Sequence, residues 1–166
     1  VVPLRNMGAA ISPFNAFLIL QGIETVTLRM DRICENTLKV AQFLKGHAKV
    51  SWVNYAGLPD HKDHGLVQKY MGGRASGILT FGVKGGAGDA KAAGARFQDA
   101  LQLVVRLVNI GDFKSLACHP ASTTHRQLTD AQRVAAGAGP DVVRLSIGIE
   151  DAADIIADLD QALAKM

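Results

Sequence analysis

One arginine in the later part of the chain is placed where it could bind an anion. Arg144 lies in the middle of residues 142–149, where the apolar side chains alternate as they do in a β-strand. If its face of the strand is buried, the guanidinium requires an anionic partner, because an unpaired buried charge is very costly. The planar fork of Arg144 fits a carboxylate, and the small neighbours Ser146 and Gly148 would leave room for a ligand. If that face is exposed, Arg144 is an ordinary surface residue, and the pattern alone leaves both interpretations open.

A second polar residue could serve the same ligand. Asn109 stands near the end of an apolar stretch, residues 103–110, and precedes Gly111-Asp112. Asparagine in such a position is most simply a turn residue whose side chain accepts a local backbone hydrogen bond. The alternative is that Asn109 donates a hydrogen bond to the carboxylate that Arg144 would bind.

Other kinds of chemistry find less support. The residues Cys118, His119 and His125, and the pair His61 and His64, match no standard zinc spacing, so no metal site is predicted. No serine lies in a nucleophile-elbow pattern, which argues against a hydrolase. The glycine-rich residues 85–88 are followed by Asp89 instead of Gly-Lys-Ser/Thr, so they are predicted to form a plain turn and not a phosphate loop. Asp89 itself is predicted to cap the alanine-rich helix that follows.

Composition narrows the class of protein. The 166 residues are 48% hydrophobic, 20% charged and 5% aromatic, with a net charge of +3, which is typical of one soluble domain. The basic residues are scattered, which argues against a nucleic-acid partner, and no apolar run is long enough for a membrane span. Few cysteines and no signal peptide favour the cytoplasm. Because Val1-Val2-Pro3 precedes the first methionine, Met7, we expect a piece of a longer protein.

The order of predicted elements favours an α/β (α+β) fold. Apolar periodicity and turn residues predict a small open sheet that is covered by helices mainly on one face. Ser12-Pro13 is typical of a helix start, and this first helix, apolar on most sides, is predicted to be buried. The remaining helices are predicted at 25–45, 61–71, 89–102, 131–136 and 152–165, and the strands at 50–55, 78–83, the end of 103–110, 115–118 and 142–149.

Three stretches, in the same order and spacing, resemble one enzyme family. They are GAAISPFNAFLILQGIET from Gly8, NIGDFKSLACHPASTTHR from Asn109, and VRLSIGIE from Val143. They are similar to the last third of the Cys/Met-metabolism enzymes that depend on pyridoxal phosphate (PLP), and most similar to the O-acetylhomoserine sulfhydrylase branch. The resemblance implies that residues 1–166 form the single C-terminal domain of a fold-type I enzyme whose N-terminal, cofactor-binding domain is absent.

The resemblance also implies an activity. The whole enzyme would convert O-acetyl-L-homoserine and sulfide, or a thiol, to homocysteine, or methionine, and acetate in methionine biosynthesis, with PLP as the electron sink. A small amino-acid substrate and a homotetramer are expected. The same domain of a methionine γ-lyase or a cystathionine γ-synthase is the alternative reading. A non-catalytic amino-acid-binding module is a third, which a start codon just before Val1 would favour.

The resemblance assigns roles to particular residues. Arg144 matches the arginine that binds the substrate α-carboxylate, and Asn109 matches a position that hydrogen-bonds the same group. Lys114 stands where many related lyases and synthases carry glutamate, which speaks against cystathionine chemistry. No lysine lies in the family's Schiff-base motif. We therefore expect this chain alone neither to bind PLP tightly nor to turn over substrate.

Overall fold

The elements of the fold follow the predicted order closely. The computed structural model describes residues 2–8, 10–85 and 89–166. The helices are α1 Val2–Met7, α2 Pro13–Glu24, α3 Val26–Gly46, α4 His64–Met71, α5 Ala90–Ala100, α6 Asp130–Ala135 and α7 Ala152–Ala164, and a 3₁₀ turn spans Pro120–Ser122. The strands are β1 Val50–Asn54, β2 Ile78–Val83, β3 Val105–Arg106, β4 Leu116–Cys118 and β5 Val142–Ser146.

The strands form one sheet in the order β1-β2-β5-β4-β3. All neighbouring pairs are antiparallel except β3 with β4, which are parallel. The strand that carries Arg144 therefore lies in the centre of the sheet. This position fixes the backbone of Arg144 from both sides, since Thr80 of β2 and Cys118 of β4 are its direct partners.

Helices cover one face of the sheet, as predicted. The covered face of β5 presents Val143 and Leu145, both fully buried, and the long helices contribute one apolar stripe each. Phe81 of β2 meets Phe97 of α5 edge to face, with ring centroids 5.6 Å apart. The side chains that α3 and α7 bury in this core include Val40, Ala41, Leu44, Ile155, Leu159 and Leu163.

Several helices begin at residues that satisfy their free backbone N–H groups. Ser12 accepts a hydrogen bond from Asn15 N, and Pro13 occupies the first turn of α2, as the sequence predicts. Asp89 accepts from Ala92 N at the start of α5, a cap that was also predicted. At α7 the cap is Asp151, which accepts from Ala153 N at 2.8 Å.

Three predictions need correction or stay open. The helix α2 is not buried: Phe14, Phe17 and Leu20 are each more than half exposed, because no element among the described residues covers it. The strand predicted at the end of 103–110 lies earlier instead, at Val105–Arg106, since the chain leaves the sheet after Leu107 N bonds to Ala117 O. Residues 86–88 lie outside the described residues, so the turn predicted there stays a prediction.

None of the helices in the described part of the chain is both long enough and apolar enough to cross a membrane.

Candidate functional site

A row of polar side chains crosses the face of the sheet that the helices leave open. Residues directly opposite each other in antiparallel strands point to the same face. The register pairs Asn54 with Thr80, Thr80 with Arg144, and Arg144 with Cys118. Burial increases along this open-face row, from the exposed Asn54 through the half-buried Thr80 and Arg144 to the buried Cys118. The centre of the row is therefore a cation partly shielded from water.

The guanidinium of Arg144 has N–H donors that the described residues leave unused. Its Nη2 lies 3.5 Å from the backbone carbonyl oxygen of Asn109, a long hydrogen bond. Within the described residues no carboxylate oxygen comes within 4.0 Å of its guanidinium, whereas Arg74 and Arg106 each have an aspartate at 2.7 Å. A half-buried guanidinium with unused donors can accept an external carboxylate in a bidentate pair. The structure thus brings the two residues singled out from the sequence together.

Asn109 lies on an irregular segment, residues 107–114, between β3 and β4. Its Oδ1 accepts a hydrogen bond from Ile110 N at 2.9 Å, the local bond that its turn-like context predicts. Because Oδ1 already accepts this local hydrogen bond, the amide Nδ2 remains as the group that can donate a hydrogen bond to a ligand. Around Asn109 the segment exposes Leu107, Val108, Ile110 and Phe113, so the site is bordered by apolar side chains.

Two loops tie down the ends of the open-face row. At the exposed end, His61 Nε2 lies 2.8 Å from Asn54 Oδ1. At the buried end, the Thr123 hydroxyl donates to the His119 carbonyl at 2.8 Å, and Cys118 Sγ lies 3.5 Å from the same hydroxyl oxygen. The thiol is thus an internal hydrogen-bonding group. Through Thr123, the loop 119–125 borders the buried end of the row.

His119 is a structural residue. Its side chain is fully buried, with Nε2 2.9 Å from the Pro140 carbonyl oxygen and Nδ1 2.8 Å from Ser122 Oγ. Since a carbonyl can only accept, Nε2 carries the proton and Nδ1 accepts from the serine hydroxyl. Burial lowers the pKa of His119 below its usual 6.5, against the opposing bond to Pro140, and the charge of Lys91 lowers it further. The ring is therefore neutral at pH 7 and packs the loop.

The space expected beside Arg144 is partly filled by the protein itself. A Cβ added to Gly148 would lie 2.3 Å from Phe113 O and 2.5 Å from Glu150 Oε2. The expectation that Gly148 leaves room for a ligand is therefore wrong, and Ser146 is only 2% exposed. A cavity of about 320 Å³ instead opens at the other end, beside Cys118, Thr123 and Val108. A larger groove of about 570 Å³ runs along β1 and includes neither Arg144 nor Asn109.

Sequence reasoning missed part of this site. Thr80 was not singled out, although the alternation of residues 78–83 places it on the polar face, and Cys118 was considered only as a metal ligand. The pairing register that sets them beside Arg144 joins segments far apart in the chain, and no local pattern encodes it. Glu150 and Ser115, which hold the Asn109 segment in place, were missed for the same reason.

Comparison with known proteins shows to which family the chain belongs. A family model described as "Cys/Met metabolism PLP-dependent enzyme" matches residues 2–164. The chain belongs to this family. Among the Cys/Met-metabolism enzymes, the O-acetyl-L-homoserine sulfhydrylase of Leptospira meyeri is 52% identical over 98% of the chain. The L-methionine gamma-lyase of Pseudomonas deceptionensis is 44% identical over 96% of it.

A solved structure supports the fold assignment. The crystal structure of a Campylobacter jejuni protein described as an O-acetylhomoserine (thiol)-lyase superposes with a TM-score of 0.85, at 42% identity and over 97% of this chain. That protein carries N'-pyridoxyl-lysine-5'-monophosphate at position 205. The chain spans 36% of the Leptospira relative, 39% of the Pseudomonas relative and 37% of the solved chain.

The residues present do not fit a complete PLP site. A lysine that forms a Schiff base needs a neutral amine in a shielded pocket. Eight of the nine lysines of this family member are exposed. The ammonium group of the half-buried Lys49 donates a hydrogen bond to Ala164 O at 3.0 Å. The site built around Arg144 is thus equipped to bind an anion, and no step of cofactor chemistry can be assigned to it.

Proposed function

We propose that residues 1–166 form the C-terminal, substrate-binding domain of a longer PLP-dependent enzyme. That enzyme would convert O-acetyl-L-homoserine and sulfide, or a thiol, to L-homocysteine, or methionine, and acetate. The single observation that carries this proposal is the half-buried guanidinium of Arg144, with Asn109 beside it and no carboxylate near it among the described residues. Relatives named O-acetyl-L-homoserine sulfhydrylase support the choice of reaction.

The role of the chain in that reaction is to hold the substrate. Arg144 binds the α-carboxylate through two parallel hydrogen bonds, and Asn109 Nδ2 donates a third. The apolar side chains that border Asn109 lie beside the carbon chain of the substrate. Fixing one end of a flexible amino acid in this way orients the bond to be broken and removes an entropic cost from the reaction.

The cofactor is held outside this chain in the proposed enzyme. We expect the Schiff-base lysine and the PLP phosphate site on a preceding domain, in a cytoplasmic homotetramer. Incubating the 166-residue chain with PLP tests this part of the proposal by absorbance. No aldimine band is expected, and a clear band that disappears on borohydride reduction would contradict it.

A methionine γ-lyase is the second candidate. This function is favoured over the others because the chain is 44% identical to a protein named L-methionine gamma-lyase. A cystathionine γ-synthase is less well supported, because Lys114 stands where such enzymes often carry glutamate. The gene sequence immediately upstream of the codon for Val1 is the first test: we expect an open frame that encodes a lysine motif. A stop codon followed by a start codon at that place would overturn the proposal.

Assays of the whole protein then separate the candidates. From O-acetyl-L-homoserine, the sulfhydrylase forms homocysteine only when sulfide is added, and methionine only when methanethiol is added. A γ-lyase releases methanethiol and 2-oxobutyrate from methionine with no added acceptor. Robust elimination from methionine, without replacement on O-acetyl-L-homoserine, would select the second candidate.

A further inference from the structure

The segment that carries Asn109 is anchored to the strand of Arg144 by one carboxylate. Glu150 Oε1 accepts a hydrogen bond from Ser115 N at 2.6 Å, and Oε2 accepts from Ser115 Oγ at 2.9 Å. The same hydroxyl oxygen accepts from Gly148 N at 2.9 Å. Ser115 is fully buried, and its carbonyl accepts from Val105 N at 2.9 Å. One serine thus joins the end of β5, the start of β4 and the strand β3.

Three further hydrogen bonds hold this anchor in place. Ile149 N donates to Phe113 O at 2.9 Å, which ties the segment 107–114 to the residues that follow β5. From the helical layer, the buried Asn36 donates Nδ2 to Gly148 O at 3.1 Å and to Glu150 O at 2.8 Å. Gly148 has no room for a side chain between Phe113 O and Glu150. The base of the segment is therefore fixed, while Asn109 at its far end is exposed and touches Arg144 only through the long 3.5 Å contact.

We propose that Glu150 is a positioning residue which, through Ser115, holds Asn109 at the distance from Arg144 that lets both residues bind one carboxylate. The inference rests on the proposed function, because it concerns the same carboxylate site. Two groups on different elements can share one small ligand only if the distance between them is set before the ligand arrives. Glu150 touches no ligand and acts only through the segment that it anchors.

The test is an NMR titration of the 166-residue chain with O-acetyl-L-homoserine and, separately, with its methyl ester, which lacks the carboxylate. Glu150→Ala removes both acceptors of Ser115, so Asn109 no longer has a fixed place beside Arg144. Losing one hydrogen bond to a charged group corresponds to about ten-fold weaker binding. The matched control is Glu35→Ala, an exposed carboxylate on α3 paired only with Lys39, which should leave the affinity unchanged.

Two additional variants separate positioning from mere stability. In Glu150→Gln the amide oxygen still accepts from Ser115 N, so most of the affinity should return, and this variant replaces Glu150→Ala if the latter does not fold. In an Asn109→Ala background, Glu150→Ala should cause no further loss, because the group that it positions is already gone. A residue with a purely structural role would lower the melting temperature without changing the affinity of the folded protein.

Each outcome decides a different claim. If the parent chain prefers the acid to the methyl ester but folded Glu150→Ala binds as the parent does, the positioning role is wrong and the proposed function stands. Equal losses with and without the Asn109 side chain would also overturn the positioning role. If the parent chain binds acid and ester equally, or binds neither, the proposed carboxylate site fails, and the role of Glu150 fails with it.

Discussion

Asp158, a buried carboxylate on helix α7, holds the stretch of backbone that leads into the site. Its Oδ1 accepts from Gln102 N at 2.9 Å and from Gln161 Nε2 at 3.0 Å. Its Oδ2 accepts from Leu103 N and Val104 N, both at 2.9 Å. Residues 102–104 precede β3, which continues into the Asn109 segment. We predict that Asp158→Asn, a change of almost identical size, strongly destabilises the fold.

The size of the effect follows from this geometry. Whichever way the asparagine amide is turned, its NH₂ group faces two N–H donors, so two hydrogen bonds are lost. A hydrogen bond to a charged group contributes about 1.5–3 kcal/mol, so the loss of two lowers the free energy of unfolding by about 3–6 kcal/mol.

Urea unfolding followed by the fluorescence of Trp52, the only tryptophan, measures this change. The matched control is Asp154→Asn, an exposed aspartate in the first turn of the same helix, with an expected loss of about 0.5 kcal/mol. A loss below about 1 kcal/mol for Asp158→Asn would refute the reasoning about the four hydrogen bonds.

The pH dependence of stability provides a second readout of Asp158. Burial by itself would raise the pKa of the Asp158 carboxyl, but the bonds from Val104, Gln102, Leu103 and Gln161 outweigh burial and hold the pKa below its usual 3.8. A carboxyl with a lowered pKa in the fold stabilises it above the unfolded value and loses that contribution as the pH falls. The parent should therefore lose more stability below about pH 4 than Asp158→Asn does, because the contribution of the Asp158 carboxylate is present only in the parent.

Two further predictions concern other parts of the chain. Because the pKa of His119 is lowered in the fold, the unfolded chain binds the histidine proton first as the pH falls, and the stability of the fold should drop below about pH 6.5. Urea unfolding at pH 7 and at pH 5 measures this drop. An equal drop in the His119→Asn variant would contradict the prediction. The exposed apolar helix α2 should make the isolated chain self-associate in sedimentation velocity. Phe17→Glu should weaken association about ten-fold more than Gln21→Glu on the same helix, and a parent that stays monomeric at every concentration would contradict this.

Local patterns in the sequence predicted most elements, including the strand that carries Arg144. The strand around Arg144 was recognised because Val143, Leu145 and Ile147 alternate with smaller or polar residues, and all three are buried in the structure. The starts of α2 and α5 were recognised because a cap and the N–H group that it satisfies lie only three residues apart.

Contacts between distant segments could not be predicted in this way. Ser115 and Glu150 are 35 residues apart, and their hydrogen bonds follow from the order of the strands and not from any local spacing. The burial of α2 was predicted wrongly because an apolar helix is expected to be covered, whereas the described residues include no element that covers it. The short β3 was overestimated because apolar residues 107–110 border the site instead of pairing in the sheet.

The most direct test of the account is the affinity of Arg144 for a carboxylate. In an NMR titration with O-acetyl-L-homoserine, the Nε–H signal of Arg144 should shift, and the methyl ester should leave it in place. Arg144→Lys keeps the charge but loses the bidentate geometry of the guanidinium, so binding of the acid should weaken about ten-fold. The control is Arg106→Lys, at the exposed ion pair with Asp99, which should leave binding unchanged. Undiminished binding of the acid by folded Arg144→Lys would contradict the assignment of this arginine as the carboxylate-binding group.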